Sequence, residues 1–137
     1  MRTPSFGSIT ALILLLLLSA CAGSLLPDPL DGTAWKLDQI NGMPTLQNSI
    51  VTAEFTQGKV GGSSSCNSYG GSYKINGRKF TAESIAMTLM ACVDAGVMEQ
   101  EQAFLEILQN AQSFEIKDDQ LLIFSSEGKS LSFSQNP

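Results

Sequence analysis

The sequence contains no histidine. This absence excludes Ser-His-Asp and Cys-His catalysis, imidazole-ligated metals and imidazole proton transfer. What remains for catalysis is a carboxylate pair or a serine activated by a lysine. The acids Glu99, Glu101 and Glu106 fall on a predicted helix whose other face is apolar, and we interpret them as a solvated surface. We therefore expect a protein that is not an enzyme and that carries no cofactor and no metal.

Positive charge is also scarce. The chain has 8 lysines and arginines against 13 aspartates and glutamates, and its net charge at pH 7 is −5. It lacks the cluster of basic residues that nucleic-acid binding requires. The same deficit disfavours adhesion to anionic lipid headgroups. We expect no nucleic-acid partner, and we expect any membrane contact to depend on a separate anchor.

The N-terminus predicts such an anchor. Arg2 precedes an uninterrupted apolar run at residues 11–18, which breaks into small residues in the order typical of a secretory signal. The run is shorter than the roughly 20 residues that cross a bilayer. Residues 18–21, Leu-Ser-Ala-Cys, resemble the bacterial lipobox, so we predict a signal peptide at 1–20 and lipid attachment at Cys21. The alternative is a secreted protein cut after Ala20, with a free thiol at Cys21.

A lipid on Cys21 would place the protein in the bacterial cell envelope. Several acyl chains, at about 0.8 kcal/mol per buried methylene, would hold the domain at a membrane. Ala22, rather than an aspartate, follows the cysteine and favours the outer membrane, with the domain facing the periplasm. Pro27 and Pro29 disfavour helix, so we predict that 21–31 is an extended lipidated tether and that the folded domain spans 32–137.

Only two cysteines then remain, Cys66 and Cys92. In an oxidising compartment such a pair usually forms a disulfide. Redox catalysis is disfavoured because there is no C-x-x-C spacing to lower a thiol pKa. A zinc site is disfavoured because two sulfurs without histidine leave the zinc shell half empty. We predict a structural Cys66–Cys92 bridge.

The domain has the pattern of antiparallel strands. We predict a first strand at Thr33–Ile40, and a hairpin about Gln57-Gly58 that pairs Phe55 with Val60. A second turn at Asn76-Gly77 should place Tyr73 opposite Phe80. The alternation of Ile85, Met87 and Leu89 is predicted to continue the strand towards Cys92.

One helix is predicted late in the chain, at 95–111. Asp94 is its expected N-cap, and an apolar stripe recurs at helical spacing. The stripe consists of Val97, Phe104, Leu105 and Leu108, and Glu101 recurs at the same spacing. We expect this face to pack on the sheet, and the alternative is a helix that binds a partner.

The last strands pose a question of register. Gly128 suits a hairpin that pairs Phe124 with Leu131 and Leu122 with Phe133. A two-residue turn at Asp118-Asp119 would bring Leu121 and Ile123, which lie on the opposite face, against the preceding strand. We therefore predict one extra residue at 118–120, as a three-residue loop or bulge.

Several motifs together resemble the META domain family, over Gly32 to the end of the chain. They are Gly32-Thr33-x-Trp35-x-Leu37, Gly62 through Cys66-Asn67-x-Tyr69-x-Gly71-x-Tyr73, Thr88-x-Met90-Ala91-Cys92 and Glu101-x-x-Phe104-Leu105-x-x-Leu108. Ser65 stands where the family often has glycine, so the local turn is expected to differ. The resemblance implies an α+β fold: a small, mostly antiparallel, cracked β-barrel with one helix packed against it. It also implies a disulfide between the two cysteine motifs.

The resemblance implies a role in heat or envelope stress, or in tolerance of the antibiotic novobiocin, without a catalytic site. Our leading hypothesis is a non-enzymatic envelope lipoprotein that binds a protein or an apolar ligand at residues not yet identified. The alternatives are an inhibitor of a cell-wall hydrolase such as lysozyme, and a lipid-binding, pilot-like carrier. A further alternative is copper(I) binding through the sulfurs of Met87, Met90 and Met98, although core packing explains these residues better.

Overall fold

A computed structural model describes residues 26–135, which form nine strands and one helix. The elements are β1 (Thr33–Ile40), β2 (Met43–Pro44), β3 (Thr52–Thr56), β4 (Lys59–Ser63), β5 (Ser68–Asn76), β6 (Lys79–Met87), α1 (Val97–Gln109), β7 (Ala111–Lys117), β8 (Gln120–Ser125) and β9 (Ser130–Gln135). The predicted first strand is confirmed at its stated bounds.

The strands form an antiparallel barrel with a defect. They follow the order β1-β3-β4-β5-β6-β7-β8-β9, and pairing of β1 with β9 closes the ring. The two-residue β2 only extends β1. Between β6 and β7 the pairing is confined to Lys79 and Ser113, after which the strands separate. The fold is therefore the α+β, cracked barrel with one helix that the family resemblance implies.

Side chains fill the interior of the barrel. Rings pack edge to face, as with Phe55 and Tyr73, whose centroids are 5.0 Å apart. The helix contributes to the same core, and the centroids of Phe104 and Tyr69 are 5.2 Å apart. The largest side chains with less than 2% exposure include Phe55, Phe80, Phe104, Phe133, Leu37, Ile107, Leu108, Leu121, Ile123 and Leu131.

The first predicted hairpin is confirmed, and the second has a different register. Phe55 pairs with Val60 about Gln57-Gly58, where both residues have positive φ. At the second turn the central residues are Gly77 and Arg78, so that Phe80 pairs with Ile75, and Tyr73 pairs with Ala82. A shift of two residues keeps a side chain on its face. Tyr73 and Phe80 therefore still stack in the core, with centroids 5.9 Å apart.

The predicted irregularity at 118–120 is wrong. Lys117 pairs with Gln120 in a regular two-residue hairpin, because Asp118 and Asp119 both adopt the positive φ of a type I′ turn. Leu121 and Ile123 are therefore the core residues of β8, and they face Phe133 and Leu131. Leu122 and Phe124 lie on the other face, half-buried. The compensating bulge lies at the start of β7, between Ala111 and Ser113.

The helix is shorter than predicted. It begins at Val97 after Gly96, which has φ 81°, and no side chain caps it. Asp94 is therefore not the N-cap, although its carbonyl accepts the backbone N–H of Val97 at 3.3 Å. The helix ends at Gln109 because Ala111 pairs with Ser125 in the barrel. Tertiary pairing here overrides helix propensity.

The end of the predicted tether belongs to the folded domain. Leu30 is fully buried, and its N–H donates to Asp28 Oδ1 at 2.8 Å. The Tyr73 hydroxyl donates to Asp28 Oδ2 at 2.6 Å, and the Gln57 N–H donates to Asp31 Oδ1 at 2.6 Å. The tether prediction is therefore wrong for residues 28–31, because proline prevents helix without preventing packing.

The environment of Tyr73 makes the free energy of unfolding depend on pH in the alkaline range. Burial, and then the hydrogen bond to Asp28, raise the pKa of Tyr73 above its usual value of about 10. Folded protein thus keeps a proton that the unfolded chain loses, so this contribution is complete below about pH 10 and declines above it. We expect Tyr73→Phe to lose about 1–2 kcal/mol at pH 7. Urea unfolding between pH 8 and 11 should show this difference shrinking as pH rises, and a constant difference would contradict it.

Gly71 is required by the bulge in β6. Two residues of β6, Ser84 and Ile85, lie opposite Gly71 of β5, and a Cβ on Gly71 would lie 2.8 Å from the Glu83 carbonyl oxygen. We expect Gly71→Ala to lower the free energy of unfolding by about 1–3 kcal/mol. Gly70→Ala is the matched control, because its Cβ would approach nothing closer than 3.9 Å. Equal urea midpoints for the two variants would refute the argument.

Candidate binding surface

A buried carboxylate fastens the helix to the barrel. Glu101 is 4% exposed, on the face of α1 that carries Phe104, Leu105 and Leu108. Its Oε2 accepts the Ser64 hydroxyl at 2.6 Å and the Asn67 backbone N–H at 3.0 Å, while Oε1 accepts Asn67 Nδ2 at 2.7 Å. Burial of a carboxylate is tolerated only with such donors.

The interpretation of Glu101 as part of a solvated surface is therefore wrong. The surface interpretation does hold for Glu99 and Glu106, which are exposed. The signal that could have located Glu101 was its place in the apolar stripe, at helical spacing from Phe104, Leu105 and Leu108. A charged residue at a core position indicates a buried partner, and the partner, Asn67, lies 34 positions away in the chain.

Asn67 connects this carboxylate to the segment after β6. Its Oδ1 accepts the backbone N–H of Met90 at 2.7 Å and the Thr88 hydroxyl at 2.9 Å. Its Nδ2 donates to the Met90 carbonyl at 3.3 Å. Within the described part of the chain, every buried side-chain nitrogen and oxygen has a hydrogen-bond partner. The network acts as a structural corner that fixes the backbone around Met90.

The disulfide is next to this corner. Cys66 and Cys92 are bonded, with their Cα atoms 6.0 Å apart. Ser65, which precedes Cys66, has φ 106°, a conformation that glycine adopts more easily. The Ser65 hydroxyl contacts Ser49 and accepts Gln100 Nε2 at 3.2 Å, which ties this turn to α1. Thus serine keeps a glycine-like backbone here and adds contacts that glycine lacks.

The segment held by Asn67 and the disulfide displays apolar side chains to solvent. We call residues 88–93 the apolar loop. Leu89 is 88% exposed, Met90 59% and Val93 98%, and the neighbouring Met98 of α1 is 52% exposed. Leu89 thus lies outside β6, which ends at Met87, contrary to the predicted continuation of that strand. Clustered exposed apolar residues on a braced loop are typical of an interaction surface.

A groove of about 610 Å³ lies along α1 and reaches Met87, the last residue of β6. We call it the α1 groove. Its lining residues are Met87, Met98, Glu99, Glu101, Gln102, Leu105, Glu106 and Gln109. Glu106 also forms a salt bridge with Lys129, in which Oε1 is 2.6 Å from Nζ. The lining combines thioether and aliphatic surface with acidic and amide groups.

The structure brings together only some of the residues that the sequence singled out. Met87 and Met98 line the α1 groove, whereas Met90 belongs to the apolar loop. Residues 26–135 contain no group of three or more Cys, Asp and Glu side chains placed to hold a metal. No helix within this range is long and apolar enough to cross a membrane. The predicted signal peptide at 1–20 and Cys21 lie outside the described residues.

Three features define the class of this protein: a barrel with one helix packed against it, two cysteine motifs joined by a disulfide, and a glutamate bonded to Ser64 and Asn67. A sequence model of the META domain matches residues 28–137, and the chain belongs to the META domain family. The match begins at Asp28, where the structure also places the start of the folded domain.

Similar proteins include the heat shock protein HslJ of Escherichia coli K12. It is 25% identical over 113 residues, which make up 79% of this chain and 81% of HslJ. A protein solved by NMR is 25% identical with a TM-score of 0.64, over 77% of this chain and 90% of that one. A protein from Burkholderia xenovorans, also solved by NMR, has a TM-score of 0.65 at 23% identity, over 85% of this chain and 96% of its own.

Proposed function

We propose that this protein is a non-enzymatic envelope lipoprotein that binds another protein through the apolar loop during heat or envelope stress. The observation that carries this proposal is the exposure of Leu89 and Val93, at 88% and 98%, on a loop fixed by the Asn67 bonds and the disulfide. A rigid loop loses little conformational entropy when a partner covers it. The similarity to HslJ, whose name links it to heat shock, supports the setting.

The packing of the barrel favours a surface adaptor over a lipid carrier. Phe55, Phe80, Phe104 and Phe133 are each at most 2% exposed, so they occupy the space that an acyl chain would need. The chemistry of the chain favours binding over catalysis. It has no histidine, and both carboxylate oxygens of its buried acid, Glu101, accept hydrogen bonds from the protein.

The predicted lipid on Cys21 completes the proposal. The chain is acidic, with a net charge of −5, and gains no attraction from anionic headgroups, so the acyl chains would supply the membrane contact. The domain would then face the periplasm from the outer membrane. Mass spectrometry of the purified protein should show an acylated Cys21 at the N-terminus, and an unmodified thiol there would contradict this part of the proposal.

Photo-crosslinking in living cells tests the binding role. A photoreactive amino acid at Val93 should capture a protein of defined mass, and the yield should rise after heat shock. The same group at Ile116, which is 39% exposed on β7, is the matched control and should capture nothing above background. Cys21→Ser should lower the yield if the anchor brings the partners together. Equal products from Val93 and Ile116, or none from either, would contradict the proposal.

A second candidate function is inhibition of a cell-wall hydrolase. The feature that favours it is again the braced loop, because a rigid exposed segment can occupy the cleft of an enzyme without ordering itself on binding. We expect the purified protein, if it is such an inhibitor, to slow lysozyme on peptidoglycan and to lose this effect in Val93→Ser. Unchanged hydrolysis at a large molar excess would remove this candidate.

A further inference from the structure

The strand beside α1 has one free edge. From Phe80 to Met87, the described pairings of β6 are all with β5. Its other neighbour, β7, pairs only at Lys79, and α1 precedes β7 in the chain where further pairing would have continued. Outward-facing N–H and C=O groups of an unpaired edge are a template for an added strand. The unpaired edge of β6 could therefore form backbone hydrogen bonds with a ligand in an extended conformation.

The α1 groove also restricts the character of that ligand. Its ionisable lining residues in the described chain are all acidic: Glu101 and Glu106 have partners within the protein, and Glu99 is exposed. Met87, Met98 and Leu105 supply apolar surface, and methionine adapts to varied side chains. The volume of about 610 Å³ is within the usual range for a ligand site. An occupant with cationic and apolar side chains would complement this lining.

We propose that the α1 groove binds an extended, basic and apolar segment of a partner protein, which adds as a strand to the free edge of β6. Alternate side chains of an added strand point to opposite sides, so one set would face Met87 and Met98 while the other reached Glu99. The apolar loop would contact the residues that continue from this segment. This inference rests on the proposed function, since it assigns the docking site and the chemistry of the partner.

A defined peptide tests the inference. The probe is a fluorescent seven-residue peptide of alternating lysine and valine, added to the full protein in phosphatidylcholine nanodiscs. We expect saturable binding that weakens when salt is raised from about 0.05 M to 0.5 M, because screening reduces attraction between exposed charges. Hydrogen exchange should slow in β6 and α1 and nowhere else. Absence of binding, or protection outside these elements, would overturn the inference.

Two controls distinguish the contribution of backbone pairing to peptide binding from the contribution of charge attraction. The same peptide with every backbone amide N-methylated has no N–H to donate to the β6 edge, and it should not bind. Glu99→Lys should weaken the lysine peptide about tenfold and should strengthen a glutamate–valine peptide. Glu54→Lys changes an exposed acid on β3 and should leave the affinity unaltered. Equal binding of the N-methylated peptide, or equal effects of the two variants, would overturn the inference.

Other occupants of the groove give different results. Competition by sodium myristate but not by salt would assign the groove to an acyl chain and overturn the inference. Protection of β6 that rises with protein concentration, without peptide, would assign it to a second copy. Failure of the proposed function is distinguishable, because crosslinking from Val93 can succeed while the peptide fails. In that case only the docking site and the partner chemistry are wrong.

Discussion

Glu101→Ala is expected to lower the free energy of unfolding by about 3–4 kcal/mol, a large share of the 5–15 kcal/mol typical of a domain. The substitution removes the acceptor of the Asn67 backbone N–H and of one Nδ2 proton, and it leaves these buried donors unpaired. It also releases the Ser64 hydroxyl, which can still donate to the Asn67 carbonyl at 3.0 Å. Urea unfolding followed by tryptophan fluorescence at Trp35 would measure the loss.

Two further variants sharpen this result. Glu101→Gln keeps the size of the side chain but presents an amide nitrogen to donors, so we expect about half of the loss. Gln102→Ala, one residue along on the exposed face of α1, should change stability by no more than about 0.5 kcal/mol. Amide exchange at Met90 should accelerate in Glu101→Ala, since Asn67 then loses one of its two attachments. A loss below about 1 kcal/mol would show that the network is incidental.

Removal of the disulfide is expected to have an effect of similar size. The bridge joins residues 26 positions apart, and the chain-entropy treatment gives about 3.5 kcal/mol for a loop of this length. The Cys66→Ala/Cys92→Ala variant should show this loss in urea unfolding. Reduced wild-type protein should match the variant, and reductant should leave the variant unchanged. Retention of full stability without the bridge would contradict the account of the loop as covalently braced.

The two effects should not add. Asn67 follows Cys66 directly, and Met90 is two residues from Cys92, so the network and the bridge hold the same segment. Once one attachment is lost, part of the benefit of the other is lost with it. A combined Glu101→Gln and disulfide-free variant should therefore fall short of the sum. Strict additivity would indicate that the two attachments stabilise separate parts of the molecule.

Local patterns allowed much of the fold to be predicted. Alternation fixed β1, and the Gln57-Gly58 turn fixed the pairing of Phe55 with Val60, because both depend on residues close in the chain. Register in the last strands failed, since Asp118 and Asp119 carry no glycine to signal a two-residue type I′ turn. Leu121 and Leu122 are adjacent in the sequence, so the pattern alone allows either one to be the residue of β8 that faces the core. The choice depends on partners in β9.

The candidate site was predictable only in part. Cys66, Asn67, Met90 and Cys92 stand in recognisable motifs, but the place of Glu101 among them depends on contacts across 34 residues. The sequence did not predict the exposure of Leu89 and Val93 either, because apolar residues after an alternating strand normally indicate that the strand continues. The strand ends at Met87 instead, where the bonds from Asn67 redirect the chain.

The central claim is that the apolar loop is the working surface of the protein. Heat survival of cells whose only copy carries Leu89→Ser/Val93→Ser tests it most directly, with Ile50→Ser, at a 61% exposed apolar residue elsewhere, as the control. All variants should fold and accumulate equally. We expect the loop variant to survive no better than a deletion strain, and the control to match the parent. Full survival with the loop variant, or a deletion strain as resistant as the parent, would contradict the account.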